Sequence, residues 1–369
     1  MKTISLFAGC GGMDLGAEAA GAKVFWANDN MPLAAATYAS QFPEVEFVEG
    51  DVHSVTSFPS ADLVTGGYPC QSFSLGGNRK PQDDSRTDLY QEFARAVVDA
   101  NPSFFVAENV KGLKSLAGGQ WLRAQIELFE TLGSHGYNVN WRLLQAQDFG
   151  VPQKRKRVFI VGVRKDLGLH YHFPEPTHGP LRTAAKHGLP VYTSHGDAIL
   201  GLPLWPTGEF YERPHDPEGH FSWYYMSRNR KAKWSEPAFT VVANFRHITL
   251  HPAGPVMKLT WSDLANGWKQ RWDFSDEFEH LVGHPDRPKL ETPRRLSWRE
   301  CAAIQTFPAG FEPDGPLDKK FEQIGNAVPP KLAQAVIEPL IDGTGLRSSA
   351  QLPDGKASKL LGGEQLVLA

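Results

Sequence analysis

Leu63-Val64-Thr65-Gly66-Gly67-Tyr68-Pro69-Cys70-Gln71-Ser72-Phe73-Ser74 changes character halfway along. Its apolar start predicts a short buried strand, and the glycine pair and proline end it. About one strand-helix-strand unit later, Phe104-Phe105-Val106-Ala107 predicts a second strand that runs into Glu108-Asn109-Val110. If the two strands lie parallel in one sheet, the Cys70 thiol and the Glu108 carboxyl emerge at the same edge. That pairing suits covalent attack on a ring combined with proton donation to it.

The same alternation extends outward. Strands are predicted at Thr3–Phe7, Lys23–Ala27, Leu63–Gly66, Phe104–Glu108, Asn140–Leu144 and Arg157–Val163. Between them, Leu89, Phe93, Ala96, Val97 and Ala100 recur at helical spacing, as do Leu122, Ile126, Phe129 and Leu132. Such alternation predicts an α/β fold with a doubly wound, mostly parallel sheet, in which ligands bind outside the carboxyl ends of the strands. The pattern fades beyond Pro174, where Pro, Gly, His and Trp accumulate. Helical signals return at Ser297–Thr306 and after Pro330. The expected organisation is therefore a catalytic and ligand-binding domain over 1–178, a smaller irregular domain over 179–290 with its core at 205–290, a return to the first domain over 291–342, and a loose tail over 343–369.

The three cysteines, Cys10, Cys70 and Cys301, are too few and too scattered for a disulfide framework or a zinc site. No apolar run reaches membrane-spanning length, and Met1-Lys2-Thr3 leads straight into a strand rather than a signal peptide. A cytoplasmic setting without membrane contact is expected. The net charge of −3 hides an asymmetry: residues 1–150 carry 10 basic and 17 acidic side chains, whereas residues 151–300 carry 22 and 16. Positive charge gathered in the middle of the chain suits one face that meets phosphates.

Particular residues admit more than one reading. Phe7-Ala8-Gly9-Cys10-Gly11-Gly12 joins the first strand to a helical stretch. It lacks both the dinucleotide glycine spacing and a phosphate-binding lysine, so it is either an ordinary turn or a cradle for an adenosine-type ligand without phosphates. Asp29 and Asp51 follow strand ends, where acids hold ribose hydroxyls or an adenine amino group, or simply face solvent. Cys70 is either a buried structural thiol or a nucleophile; the polar, glycine-rich run Gln71–Lys80 behind it favours the second. Glu108 is an N-cap, a surface acid, or a proton donor with a raised pKa. In Gln153-Lys154-Arg155-Lys156-Arg157, strand alternation would place Arg155 and Arg157 on one face, aimed at the sheet edge, to bind phosphate or to orient the catalytic pair. Cys10 and Cys301 read as structural.

In this order, Ser5–Gly16, Asp51, Pro69-Cys70-Gln71, Glu108-Asn109-Val110, Gln153–Arg157, Arg294–Glu300 and Gln323-Ile324-Gly325-Asn326-Ala327-Val328-Pro329 resemble the DNA (cytosine-5) methyltransferase family. The resemblance covers roughly 3–175 and 290–342. It implies a Rossmann-like, S-adenosylmethionine-dependent fold whose second domain is a target-recognition domain. It implies a cofactor pocket of Phe7, Ala8, Gly9, Gly11, Gly12, Asp29, Asp51, Val52, Pro69, Leu89 and Asn326, with S-adenosylhomocysteine as product and no metal. Cys70 would add to cytosine C6, Glu108 would protonate N3, and Arg155 would hold the base and the Glu108 geometry, the base being flipped out of the duplex. Gln71, Ser72, Arg79, Arg86, Arg157, Arg228, Arg230 and Arg246 would contact DNA. Three residues depart from the family pattern: Tyr68 stands where phenylalanine or proline is usual, Ser297 replaces a threonine, and Ala303 replaces an arginine.

The segment from Met226 to Pro252 resembles the corresponding region of bacterial enzymes that modify GGCC. The expected function is thus C5 methylation of cytosine in a short duplex sequence, GGCC favoured, by a monomer paired with a restriction endonuclease. Two rivals are a tRNA-directed relative and a non-catalytic DNA-binding module on the same fold. The intact Cys70, Glu108 and Arg155 argue against the second, and the long arginine-bearing 205–290 segment against the first.

Overall fold

The computed structural model describes residues 1–69, 89–212, 221–264, 267–279 and 288–348. Cys70, Gln71, Ser72, Arg79 and Arg86 lie outside the described residues. In chain order the elements are β1 Lys2–Leu6, α1 Gly12–Ala19, β2 Lys23–Asp29, α2 Pro32–Gln41, β3 Glu46–Glu49, β4 Leu63–Gly66, α3 Leu89–Ala100, β5 Phe104–Val110, α4 Gln120–Glu130, β6 Tyr137–Gln145, β7 Gln153–Lys154, β8 Lys156–Arg164 and β9 Leu169–Tyr171. There follow α5 Leu181–His187, α6 His195–Ala198, α7 Trp223–Met226, β10 Ala238–Phe239, β11 Met257–Leu264 and β12 Gly267–Phe274. The chain closes with α8 Trp298–Ile304, α9 Leu317–Asn326, α10 Pro330–Ile341 and β13 Leu346–Ser348.

Seven strands form the central sheet in the order β3-β2-β1-β4-β5-β8-β6. The first five are mutually parallel, and β8 runs antiparallel to both β5 and β6. Both faces are covered, which is why the inner strands β1 and β4 are buried almost throughout. On one face Phe93 of α3 and Phe129 of α4 pack on Phe105 with ring centroids 5.2–5.9 Å apart. On the other, Met13 and Ala17 of α1 meet Leu332, Ala333 and Val336 of α10 in a core with Val106, Phe159 and Val161. Gly16 lets α1 and α10 approach closely, since a Cβ there would run into the Pro330 carbonyl and the Ala333 side chain. The last helices therefore return to the face that the first helix left half covered.

The described residues between 181 and 279 carry short helices and the antiparallel pair β11/β12. Tyr225, Met226, Leu250 and Met257 form a small core of their own. A buried charge network ties this region to α8. Glu300 receives Arg294 at 2.7 and 2.9 Å, lies 3.3 Å from His251, and closes a capping box with Ser297. The two Arg294 bonds and the His251 contact pull the Glu300 pKa down to about 2 against its burial.

Two expectations need correction. Residues 346–348 are not a loose tail: they form β13, antiparallel to β9. The Gln153–Arg157 run is not one strand with one face either. β7 leaves the main sheet to pair with β10, and β8 begins only at Lys156. The break falls at Arg155, so Arg155 and Arg157 part company.

Candidate active site

The carboxyl ends of β1, β2, β4 and β5 surround a cavity of about 650 Å³ at the point where the sheet order turns from β1 to β4. The turn after β1 makes one wall. Phe7 holds φ +54°, a conformation rare outside glycine, and Gly9 (φ +54°) and Gly11 (φ +82°) continue the reversal. Backbone bonds from Ala8 N–H to the Asn28 carbonyl (3.1 Å) and from Gly11 N–H to the Ala8 carbonyl (2.9 Å) fix the turn. The Gly9 N–H donates to Asp29 Oδ2 at 2.8 Å, and Asp29 Oδ1 accepts from the Met31 N–H at 2.9 Å. Burial raises the Asp29 pKa, and these amide donors oppose the rise.

Beneath the turn, Asp14 is fully buried and accepts from Ser5 Oγ and Tyr38 Oη, both at 2.7 Å. Burial lifts its pKa to about 6 despite those bonds. Asp51 is presented differently. It is exposed, its Oδ1 accepts from the His53 N–H, and that amide together with the His53 ring lowers its pKa. Asn28 donates to the Val48 and Gly50 carbonyls, which holds the loop bearing Asp51 against the end of β2.

Of the eleven residues expected in the cofactor pocket, Phe7, Ala8, Gly9, Gly12, Asp29, Asp51, Val52, Pro69, Leu89 and Asn326 all line this cavity. Gly11 does not. It precedes α1 with its Cα against Phe42 and Tyr38, where a Cβ would clash with the Phe42 ring, so it serves the turn rather than the cavity.

Glu108 sits at the far wall, 7% exposed, with its Oε1 2.7 Å from Arg157 Nε. Burial raises its pKa, while Arg157 first and Arg155 second pull it down. Arg157 lines the cavity; Arg155 does not. The Arg155 guanidinium is buried among carbonyls, donating to those of Val241 (3.0 Å), Gly325 (2.9 Å) and Ala327 (2.9 Å). The ion-pair partner of Glu108 is Arg157, while Arg155, whose charge also acts on Glu108, binds residue 241 to the 325–327 segment beside Asn326. Gln153 does the same for the next layer, bonding Gln305 and the Val241 N–H.

Pro69, the residue before Cys70 in the sequence, lines the cavity. The other two cysteines match the structural reading. Cys10 and Cys301 are buried, and burial raises both thiol pKa values, that of Cys10 to about 12. No cluster of three or more His, Cys, Asp or Glu side chains able to hold a metal occurs among the described residues. No helix among them is long and apolar enough to cross a membrane.

Away from the cavity, Arg228 and Arg246 are exposed and Arg230 is half-buried. They surround His247: burial lowers its pKa, and Arg230, Arg295, Arg228 and Arg246 lower it further. Arg230 and Arg295 both stack on the Tyr225 ring, at 4.9 and 4.3 Å from its centroid. Arg295 and His247 were missed in the sequence, because only folding brings residues 225, 247 and 295 together. Asn109, Asn28 and Ser5, which line the cavity, were missed for a different reason: short polar residues at strand ends carry no spacing signal.

Comparison with known proteins agrees with this geometry. The family description "C-5 cytosine-specific DNA methylase" matches residues 1–342. The Type II methyltransferase M.BspRI of Lysinibacillus sphaericus is 39% identical over 91% of this chain and 80% of its own length. The Type II methyltransferase M.BsuRI of Bacillus subtilis is 38% identical over 92% of this chain and 79% of its own. An E. coli prophage protein described as a DNA modification methyltransferase has the same fold, with a TM-score of 0.63 at 23% identity over 93% of this chain and 99% of that one. The chain belongs to the C-5 cytosine-specific DNA methylase family and is a DNA cytosine-5 methyltransferase.

Proposed function

We propose that the cavity holds S-adenosylmethionine, the methyl donor of the family, and that the enzyme methylates one cytosine of a short duplex sequence, GGCC being favoured. The single observation that carries this reading is the convergence of the glycine turn, Asp29, Asp51, Pro69 and Glu108 on one cavity. The donor set fits the cofactor. An adenosine needs acceptors for ribose hydroxyls and for the adenine amino group, which Asp29 and Asp51 supply, and a close backbone approach, which Gly9 allows. When bound, the cofactor supplies an electrophilic methyl group.

The chain's own residues do the rest. Cys70 adds through its sulfur to C6 of a flipped cytosine while Glu108 gives a proton to N3, so the ring gains electron density at C5. C5 would take the methyl group with S-adenosylhomocysteine as the leaving group; loss of the C5 proton to a solvent base then supplies the electron pair that expels Cys70 as thiolate, and N3 returns its proton to Glu108. Arg157 holds Glu108 in place from one side, and Arg155 braces the wall that carries Asn326.

The arginines around His247 are the surface we assign to DNA. Like charges gathered on one ring system are costly unless an anion neutralises them, and phosphodiesters or guanine edges are the anions and acceptors on offer. The Type II names of the relatives suggest a cognate restriction endonuclease. The rivals separate in one comparison. Methyl transfer from labelled cofactor to plasmid DNA, to total tRNA and to neither distinguishes the proposed activity, a tRNA-directed enzyme and a non-catalytic module. Loss of transfer in Cys70→Ser is expected, and wild-type turnover in that variant would sink the mechanism. Bisulfite sequencing of a methylated plasmid tests GGCC, and modified cytosines in any other context overturn it.

A further inference from the structure

The structure gives the hydroxyl of Tyr68 a specific partner. Tyr68 Oη donates to Gln125 Oε1 of α4 at 2.6 Å, and both side chains are only 4% exposed. The other end of the residue is tied as well: the Tyr68 carbonyl accepts from Asn109 Nδ2 at 3.0 Å. Asn109 is in turn fixed by the bond from the Val110 N–H to its Oδ1 at 2.9 Å. The ring packs edge-on against Phe7 of the cofactor turn (6.4 Å between centroids) and tilted against Phe93 of α3 (5.7 Å). Tyr68 is thus held by β5, by α4, by α3 and by the turn after β1.

Position gives these restraints their meaning. Tyr68 is followed by Pro69, whose ring fixes φ, and then by Cys70. Asn109 directly follows Glu108. The bond from Asn109 to the Tyr68 carbonyl therefore sets the distance between the stretch leading into the thiol and the stretch bearing the carboxyl. The bond to Gln125 sets the orientation of the residue that Asn109 grips. We propose that Tyr68 and Gln125 form a positioning pair for methyl transfer: the buried hydroxyl tether fixes where the chain enters Cys70 relative to Glu108. The proposal rests on Cys70 being the nucleophile.

The test separates positioning from stability. Tyr68→Phe removes the donor and Gln125→Leu the acceptor of this bond, and each should lower the melting temperature, whereas Tyr68→Phe/Gln125→Leu removes both and should melt closer to wild type than either. Single-turnover methyl transfer at saturating DNA and cofactor is expected to fall about tenfold or more in all three variants, the scale at which small misplacements act on rate. Dissociation constants for S-adenosylmethionine and DNA should stay within about twofold, placing the loss in the chemical step. Adduct formation on 5-fluorocytosine DNA should slow in parallel. Recovery of the single-turnover rate together with the melting temperature in the double variant would overturn the proposal, as would a wild-type rate in Tyr68→Phe. Failure of the nucleophile reading is visible separately, as wild-type protein that forms no adduct on 5-fluorocytosine DNA.

Discussion

Replacing Arg157 with methionine should make the stability of this enzyme depend on pH in a way that isolates one ion pair. Arg157 Nε lies 2.7 Å from Glu108 Oε1, and the two side chains are 15% and 9% exposed. Removing one partner of so buried a pair costs about 3–5 kcal/mol when the other stays charged. Glu108 can escape part of that cost by taking up a proton. Its pKa is already raised by burial, and Arg157 is the foremost group holding it down. Losing that attraction raises its pKa further.

The sign follows from proton linkage. A carboxyl whose folded pKa lies above its unfolded value contributes stability that is complete below the unfolded pKa and is lost as pH rises through the folded pKa. In Arg157→Met that loss extends to higher pH than in wild type. The charge-dependent deficit of the variant is therefore absent below the unfolded pKa, opens between the two folded pKa values, and is complete above both, where the unpaired buried charge costs about 3–5 kcal/mol. Urea denaturation of both proteins at closely spaced pH values from 5 to 9 measures it. The same comparison in a Glu108→Gln background, where nothing titrates, should give a deficit that does not change with pH. A pH-independent deficit in the Glu108 background would refute the claim that Arg157 acts through this carboxylate.

Other changes have equally specific outcomes. Gly16→Ala should destabilise the protein by about 1–3 kcal/mol through overpacking of α1 against α10, although the same change in an open helix stabilises; a chemical denaturation midpoint at or above wild type would contradict it. Asp51→Asn should weaken S-adenosylmethionine binding about tenfold by calorimetry, since a charge-assisted hydrogen bond contributes roughly 1.5–3 kcal/mol; unchanged affinity would remove Asp51 from the adenosine site. Arg228→Ala and Arg246→Ala should each lower the slope of log affinity for DNA against log salt by about one if they meet phosphates, and an unchanged slope with relaxed sequence preference would reassign them to bases.

Legibility in the sequence followed the range of the interactions involved. Leu63–Gly66 and Phe104–Glu108 announced their strands because buried parallel strands need continuous apolar runs, and the structure pairs them in register, Leu63 with Phe104 and Gly66 with Ala107. Strand β3 has no apolar run of its own and was marked in the sequence only by Asp51 behind it: it is four residues long, begins and ends on glutamate, and lies at the sheet edge, where burial does not demand an apolar run. The helical pattern over Ser297–Thr306 is α8, and the structure adds a capping box of Ser297 and Glu300 at its start. The same Glu300 also receives Arg294 and faces His251, a role no local rule contains.

The sequence by itself determined the alternation of strand and helix, the glycine turn, and the placement of acids and of Glu108 at strand ends, because each depends on residues within a few positions of one another. Only the tertiary structure decided between Arg155 and Arg157. Strand alternation treats them as equivalent, but β7 is drawn away to pair with β10, so Arg155 is buried on the carbonyls of residues 241, 325 and 327 while Arg157 reaches Glu108. The choice depends on which distant segments supply acceptors and which supply a carboxylate, and that is fixed only when residues 108, 155, 241 and 325 are packed together.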